Sequence, residues 1–104
     1  MKAVWTKRAV KSLQIIEAYL LREFGETKRA EFMQDAENTT KRLEKFPEMG
    51  QEEPLLAHRA KKYHSCLILP TRLSKIVYYI KTEQIVISDV WDTRREPKKV
   101  TRGL

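Results

Sequence analysis

The feature that most constrains this chain is a single change of hydrophobic period along its length. From Thr6 to Phe46 the apolar residues recur at helical spacing, interrupted only at Gly25, whereas from Tyr63 to Trp91 they alternate or run together as in strands. The first helical stripe is Ala9, Leu13, Ile16, Leu20 and Phe24, opened by Thr6, a residue type that caps helices by accepting a backbone N–H. Gly25 suits the left-handed position that ends a helix, and Thr27 opens a second stripe of Ala30, Met33, Ala36, Thr40, Leu43 and Phe46 that Pro47 stops. Two helices of about five turns each, joined by so short a link, must fold back on one another as an antiparallel hairpin.

The hairpin needs a second layer to cover its apolar stripe, and the remaining sequence supplies strands. "KAVWT" (2–6) reads as a short strand, and "PEMGQEEP" (47–54) as a loop. "YHSCLIL" (63–69), "KIVYYIK" (75–81) and "QIVISDVW" (84–91) read as an antiparallel meander. Alternation in the middle strand places Ile76, Tyr78 and Ile80 towards the helices, and Lys75, Val77, Tyr79 and Lys81 on a second face open to water or a partner. In the last strand the same rule groups Ile85, Ile87, Asp89 and Trp91, which sets Trp91 beside the end of the hairpin with Arg94 and Arg95 pointing outward. The expected fold is therefore α+β: a short N-terminal strand and an antiparallel helical hairpin packed on a small, mainly antiparallel sheet of three to four strands. A chain of 104 residues builds one core. The single domain divides into hairpin (about 6–46), loop (47–54), sheet (about 56–92) and basic tail (93–104).

Charge is distributed unevenly. Lys and Arg number 21 against 14 Asp and Glu, a formal charge of +7, which favours an acidic or polyanionic partner. In the hairpin the two signs are interspersed, as on any solvated helix face. From Pro54 through Thr82 there is no acid, yet Arg59, Lys61, Lys62, Arg72, Lys75 and Lys81 all fall there. Arg94, Arg95, Lys98, Lys99 and Arg102 extend the same excess to the C-terminus. Lysines at strand ends also keep sheet edges from pairing with other chains, so a single cation proves little and the group carries the argument. The lone Cys66 has no disulfide partner and reads as a small buried hydrophobe, compatible with a reducing compartment. "MKAVWTKRAV" lacks the apolar core of a signal peptide, and no run is long enough to span a membrane, so the expected location is the cytoplasm.

The order of these elements, together with "VWTKRAVKSLQIIEAYL", "FPEMG", "KIVYYI" and "VISDVWDTRREPKK", resembles the RelE/ParE toxins of bacterial type II toxin–antitoxin modules over nearly the whole chain. The final stretch is similar to the h/w-x-x-R-x-x-P ending of many members. The resemblance implies a small cytoplasmic toxin, as a homodimer or in a toxin–antitoxin hetero-oligomer. A cognate antitoxin neutralises it by wrapping an extended or helical C-terminal segment over its surface. It implies one of two targets: DNA gyrase, poisoned by binding, or the ribosome, on which messenger RNA is cut. A non-toxic protein- or nucleic-acid-binding module of the same fold is a third reading.

The chemistry of the residues separates these readings. Metal-free RNA cleavage needs a base, an acid, and cations around the developing phosphorane. Lys75 stands where the ribonuclease branch of the family carries an Arg ahead of the middle-strand apolar run, and Arg94 would add a second cation. That branch also tends to place a Tyr or a His-Tyr pair near the C-terminus, but here Trp91-Asp92 occupies the region and no His or Tyr follows Tyr79. His64 and Tyr79 remain as candidate proton carriers, although a lone strand His is usually structural and a strand Tyr usually packs across strands. His58 is a weaker candidate still. No His, Cys, Asp or Glu set has metal-ligand spacing, and three glycines make no phosphate loop, so no cofactor is expected. The missing acid–base pair favours a gyrase-binding, non-catalytic toxin. The cations from Arg59 to Lys99 named above, together with Trp91, then serve as target- or antitoxin-binding residues.

Overall fold

Thr6 does more than cap. In the computed structural model, which describes residues 1–95 and 97–104, its Oγ1 accepts the Ala9 N–H at 3.1 Å and donates to the Ser88 carbonyl at 3.2 Å. Its own N–H donates to the Ile87 carbonyl at 3.0 Å. The start of helix α1 (Lys7–Phe24) is thus fastened to the last strand of the sheet. Gly25, at φ +90°, donates to the Leu20 and Leu21 carbonyls and passes the chain directly into α2 (Glu26–Lys45). A Cβ at Gly25 would meet nothing within 4 Å, so it is the backbone angle and not space that selects glycine there. Across the hairpin, the Arg29 guanidinium donates to Glu17 of α1 and to Glu26 at its own helix start, which pins the two helices at the turn.

The strands are β1 (Lys2–Trp5), β2 (Gln51–Glu52), β3 (His64–Leu67), β4 (Ser74–Lys81) and β5 (Gln84–Asp92). They form one sheet in the order β1-β5-β4-β3-β2. The α+β class and the hairpin-on-sheet arrangement agree with the sequence reading, but the sheet has five strands and is mixed. β1 runs parallel to β5, with Ala3 opposite Ile85 and Trp5 opposite Ile87. β2 arises inside the segment expected to be loop, where Gln51 and Glu52 pair with Ser65 and His64. Both added strands use edges that a three-stranded meander would leave open.

The main core lies between the hairpin and the sheet. Ile76, Tyr78, Ile85, Ile87 and Val90 meet Ala9, Phe32, Ala36 and Leu43, with Leu13, Ile16, Leu20, Met33 and Ile80 packed around them. The α2 stripe is Phe32, Ala36, Thr39 and Leu43, rotated from the one expected: Ala30 is exposed, and Phe24 and Phe46 are each 60% exposed. Helices of five turns overhang a small sheet, so the apolar residues at their ends find nothing to cover them. Cys66, expected to be buried, is partly exposed at the edge of this core, and its partial burial pushes the thiol up from its ordinary range, away from reactivity.

The second face of the sheet is not open as expected. Leu56, Tyr63, Val77, Trp91 and Val100 form a separate small core there, roofed by the 3-10 turn at Pro54–Leu56 and by α3 (Pro97–Thr101), with Leu104 packed alongside. The basic tail is therefore folded back, not extended. Trp91, 2% exposed, belongs to this second core and not to the hairpin. The reason is a β-bulge: Val77 faces Asp89 but Tyr78 faces Ile87, so Ser88 is an extra residue and alternation in β5 is reset. Upstream of it Ile85 and Ile87 face the helices; downstream Val90 does, and Trp91 turns to the other side.

Tyr78 ties the 47–50 segment to the core. Its hydroxyl donates to the Pro47 carbonyl at 2.8 Å and accepts the Gly50 N–H at 3.0 Å, and a Cβ at Gly50 would collide with that hydroxyl and with the Ser65 carbonyl. Burial pushes the phenol from 10.0 up to about 12. The folded state therefore holds the proton more tightly than the unfolded one, and this stabilisation, complete below pH 10.0, is lost as pH rises through about 12. Tyr78→Phe should cost about 1–3 kcal/mol at neutral pH, by orphaning both backbone groups. Chemical denaturation against pH should also show that the variant lacks the wild-type loss of stability between pH 10.0 and about 12.

Candidate partner-docking groove and basic face

Helix α1 carries a wider apolar arc than the core uses. Ile15 and Tyr19, four residues apart, lie one position round from the partly buried Ile16 and Leu20, and at 62% and 37% exposure they face outward. With Phe24 and with Leu73 of the loop before β4, they line a groove of about 1090 Å³. Its other walls are the start of α2 and the end of β5. Tyr19 and Phe24 meet edge to face at 6.1 Å, and the Arg22 guanidinium lies 5.8 Å over the Tyr19 ring. An exposed aromatic and aliphatic cluster of this kind, rimmed by charge, is the usual mark of a protein-docking surface. Sequence reasoning passed over it, although the signal was present in "IIEAYLL", where apolar residues flank the buried stripe on both sides.

The charged groups of the groove are ordered. The buried Asp89 carboxylate accepts from Arg8 Nε and Trp91 Nε1, each at 3.0 Å, from Ser12 Oγ, and from the Val90 N–H at 2.9 Å. Asp92 accepts from the Arg94 backbone N–H at 2.9 Å and from its guanidinium at 3.1 and 3.0 Å. Those hydrogen bonds hold the Asp92 carboxyl below its ordinary range and raise Arg94 above its own. Arg94 and Arg95 are both exposed, and Arg95 and Lys99 complete the positive side of the rim. Arg72, at φ +62°, sits exposed in the loop beside it.

The candidate catalytic residues do not converge. His64 lies opposite Tyr78 and stacks on it at 5.5 Å and 25°, on the side of the sheet facing the helices. Tyr79 lies on the other side, packed edge to face on Tyr63 at 5.6 Å, with Lys61 Nζ 5.2 Å above its ring. Lys75 shares the Tyr79 face and is not a free cation. It is ion-paired with the fully buried Glu53 and lies 5.4 Å over the Trp91 ring. Arg94, beyond the end of β5, is engaged by Asp92.

The remaining basic residues fall into separate places. Arg59, Lys61 and Lys62 are exposed in the segment that leads to β3, next to His58, and Lys98 and Arg102 are exposed in the folded-back C-terminal segment. Lys81 stands at the far end of β4, six residues and on the order of 20 Å from Lys75. Among the described residues no three His, Cys, Asp or Glu side chains gather as a metal site, and no helix is long and apolar enough to cross a membrane.

A helical hairpin on a five-stranded mixed sheet, with an apolar groove between the hairpin and the ends of the central strands, defines a small α+β domain. Comparison with known proteins gives that class its family. The family described as ParE toxin of type II toxin-antitoxin system, parDE, matches residues 3–97, and the chain belongs to it. A solved structure titled "Chromosomal ParDE TA system from P. aeruginosa" is similar in fold, with a TM-score of 0.72 and 18% identity over 88% of this chain and 95% of that one. No curated protein matches the chain.

The Glu53–Lys75 pair yields a direct test of what Lys75 does. Lys75→Ala would leave the buried Glu53 carboxylate unpaired and should cost about 3–5 kcal/mol in urea unfolding, whereas Glu53→Gln with Lys75→Met should be near neutral. A Lys75→Ala protein of unchanged stability would mean that the pair does not form.

Proposed function

We propose that this ParE-family toxin acts in the cytoplasm by binding DNA gyrase rather than by cleaving RNA, and that a cognate antitoxin neutralises it in a toxin–antitoxin hetero-oligomer. The observation that carries the non-catalytic reading is the sheet itself, which separates His64 from Lys75 and Tyr79. General acid–base cleavage needs the proton carriers and the phosphate cation within hydrogen-bond reach of one scissile bond. Lys75, moreover, already neutralises Glu53. Purified toxin should inhibit gyrase supercoiling of relaxed plasmid with no ribosome present, and should leave messages on programmed ribosomes intact. Cleavage with gyrase unaffected would overturn this reading in favour of a ribosome-dependent ribonuclease, and inactivity in both assays would favour a non-toxic binding module.

The groove of Ile15, Tyr19, Phe24 and Leu73 is the favoured seat for the antitoxin. The sheet face that alternation leaves open to water or a partner is covered by the chain's own 54–63 and 97–104 segments. A segment with spaced apolar residues and Asp or Glu would fill the groove and meet Arg94, Arg95 and Lys99 on its rim. Ile15→Glu with Phe24→Glu should weaken antitoxin binding by on the order of a hundredfold or more, as loss of central apolar anchors does. Thermal unfolding should hardly change, since both side chains are largely exposed. Arg94→Glu with Arg95→Glu should slow association and flatten its salt dependence.

A further inference from the structure

The covered second face presents an outer surface different in kind from the groove. The 57–62 segment and the C-terminal segment lie side by side over the second core. Arg59 Nε donates to the Leu104 carbonyl at 2.6 Å, Arg8 Nη2 donates to the Val100 carbonyl at 3.3 Å, and Val100 and Leu104 pack against the cluster that holds Leu56 and Trp91. Two stretches distant in sequence are thereby fixed as one surface. It carries Arg59, Lys61, Lys62, Lys98 and Arg102, all exposed, and Lys99 continues it to the groove rim.

Their grouping sets these cations apart: they share one surface, whereas the hairpin, where Lys7, Lys11 and Lys45 also lack an ion pair among the described residues, intersperses its cations with acids. Exposed Arg22, Lys28 and Lys41 of the hairpin lie within ion-pair distance of Glu23, Glu31 and Glu37. Among the described residues no ion pair involves Arg59, Lys61, Lys62, Lys98 or Arg102. The surface also lacks the aromatic anchors that a protein partner would need. Tyr63, Trp91 and Val100 are buried beneath it, and the Tyr79 ring is capped by Lys61. Among the described residues of these two segments His58 is the one exposed aromatic side chain, a single stacking face where single-strand binding sites use several. Grouped cations with no exposed Tyr, Trp or Phe beside them match the phosphate backbone of a regular duplex.

We propose that the surface made by the 57–62 segment and the folded-back C-terminal segment binds duplex DNA through its phosphates, without sequence preference, and independently of any protein target. Roughly five neutralised phosphates at ~0.9 each give a slope of about −4 to −5 for log affinity against log salt.

The test is fluorescence anisotropy of a labelled duplex DNA of about 20 base pairs with the full-length protein, from about 50 to 200 mM salt. The expected result is binding at the low end with that slope. Lys62→Glu/Lys98→Glu/Arg102→Glu, which touches no hydrogen bond that holds the surface together, should weaken binding at least about tenfold and reduce the slope by roughly 3. Lys28→Glu/Lys41→Glu/Lys45→Glu on α2 makes the same change in net charge on the opposite layer and should leave the affinity within about twofold. Thermal unfolding of each variant confirms that it is folded. No binding at low salt would overturn the proposal, as would equal losses in the two triple variants. Duplex RNA or polyglutamate bound as tightly as duplex DNA would also overturn it.

Discussion

One extra residue in one strand sets the sidedness of this molecule. Because Ser88 bulges out of the β4–β5 ladder, β5 can give Ile85 and Ile87 to the helical core and then Trp91 to the opposite face within a single run. The bulge also leaves the Ser88 carbonyl to the Thr6 hydroxyl and sets Asp89 where Arg8, Ser12 and Trp91 can all donate to it. A bulge re-aims side chains at the cost of local pairing, and here both consequences are used. The cap of α1, the wall of the groove and the floor of the second core all follow from it.

Polar contacts join the apolar ones in holding the covering of the second core. Glu53, fully buried, meets Lys75 from the sheet, and Lys75 in turn lies over Trp91. The 3-10 turn, β4 and β5 are thus linked through one buried charge pair. Such a pair is a weak source of net stability, but removing one partner is costly, so it fixes which segment sits on this face. The cation that sequence reasoning offered as a phosphate ligand is already engaged by a buried carboxylate.

Covering that face divides the protein surface into two regions of different chemistry. On one side of the sheet edge lies an apolar groove whose rim carries both signs of charge, suited to a protein segment. On the outer side of the C-terminal segment lies a cationic surface with no exposed Tyr, Trp or Phe among the described residues. These are the two regions proposed above to take an antitoxin segment and duplex DNA. Lys99, at the border between them, belongs to both.

The hairpin, four of the five strands and the family membership were legible in the sequence because each depends on local order: helical spacing broken only at Gly25, period-2 alternation in β4, and a fixed succession of elements. The uneven charge was legible for the same reason. What the tertiary structure decided was which side each residue faces and which residues are already engaged. A bulge shifts register by one residue, and since strand side chains alternate with period 2, that single insertion moved Trp91 from one core to the other. Parallel pairing of β1 with β5, the burial of Glu53 against Lys75 and the return of residues 97–104 over the sheet all join positions distant in sequence. Periodicity reports the environment of a segment and not the identity of its partner, so these long-range pairings could be settled only by the packed chain.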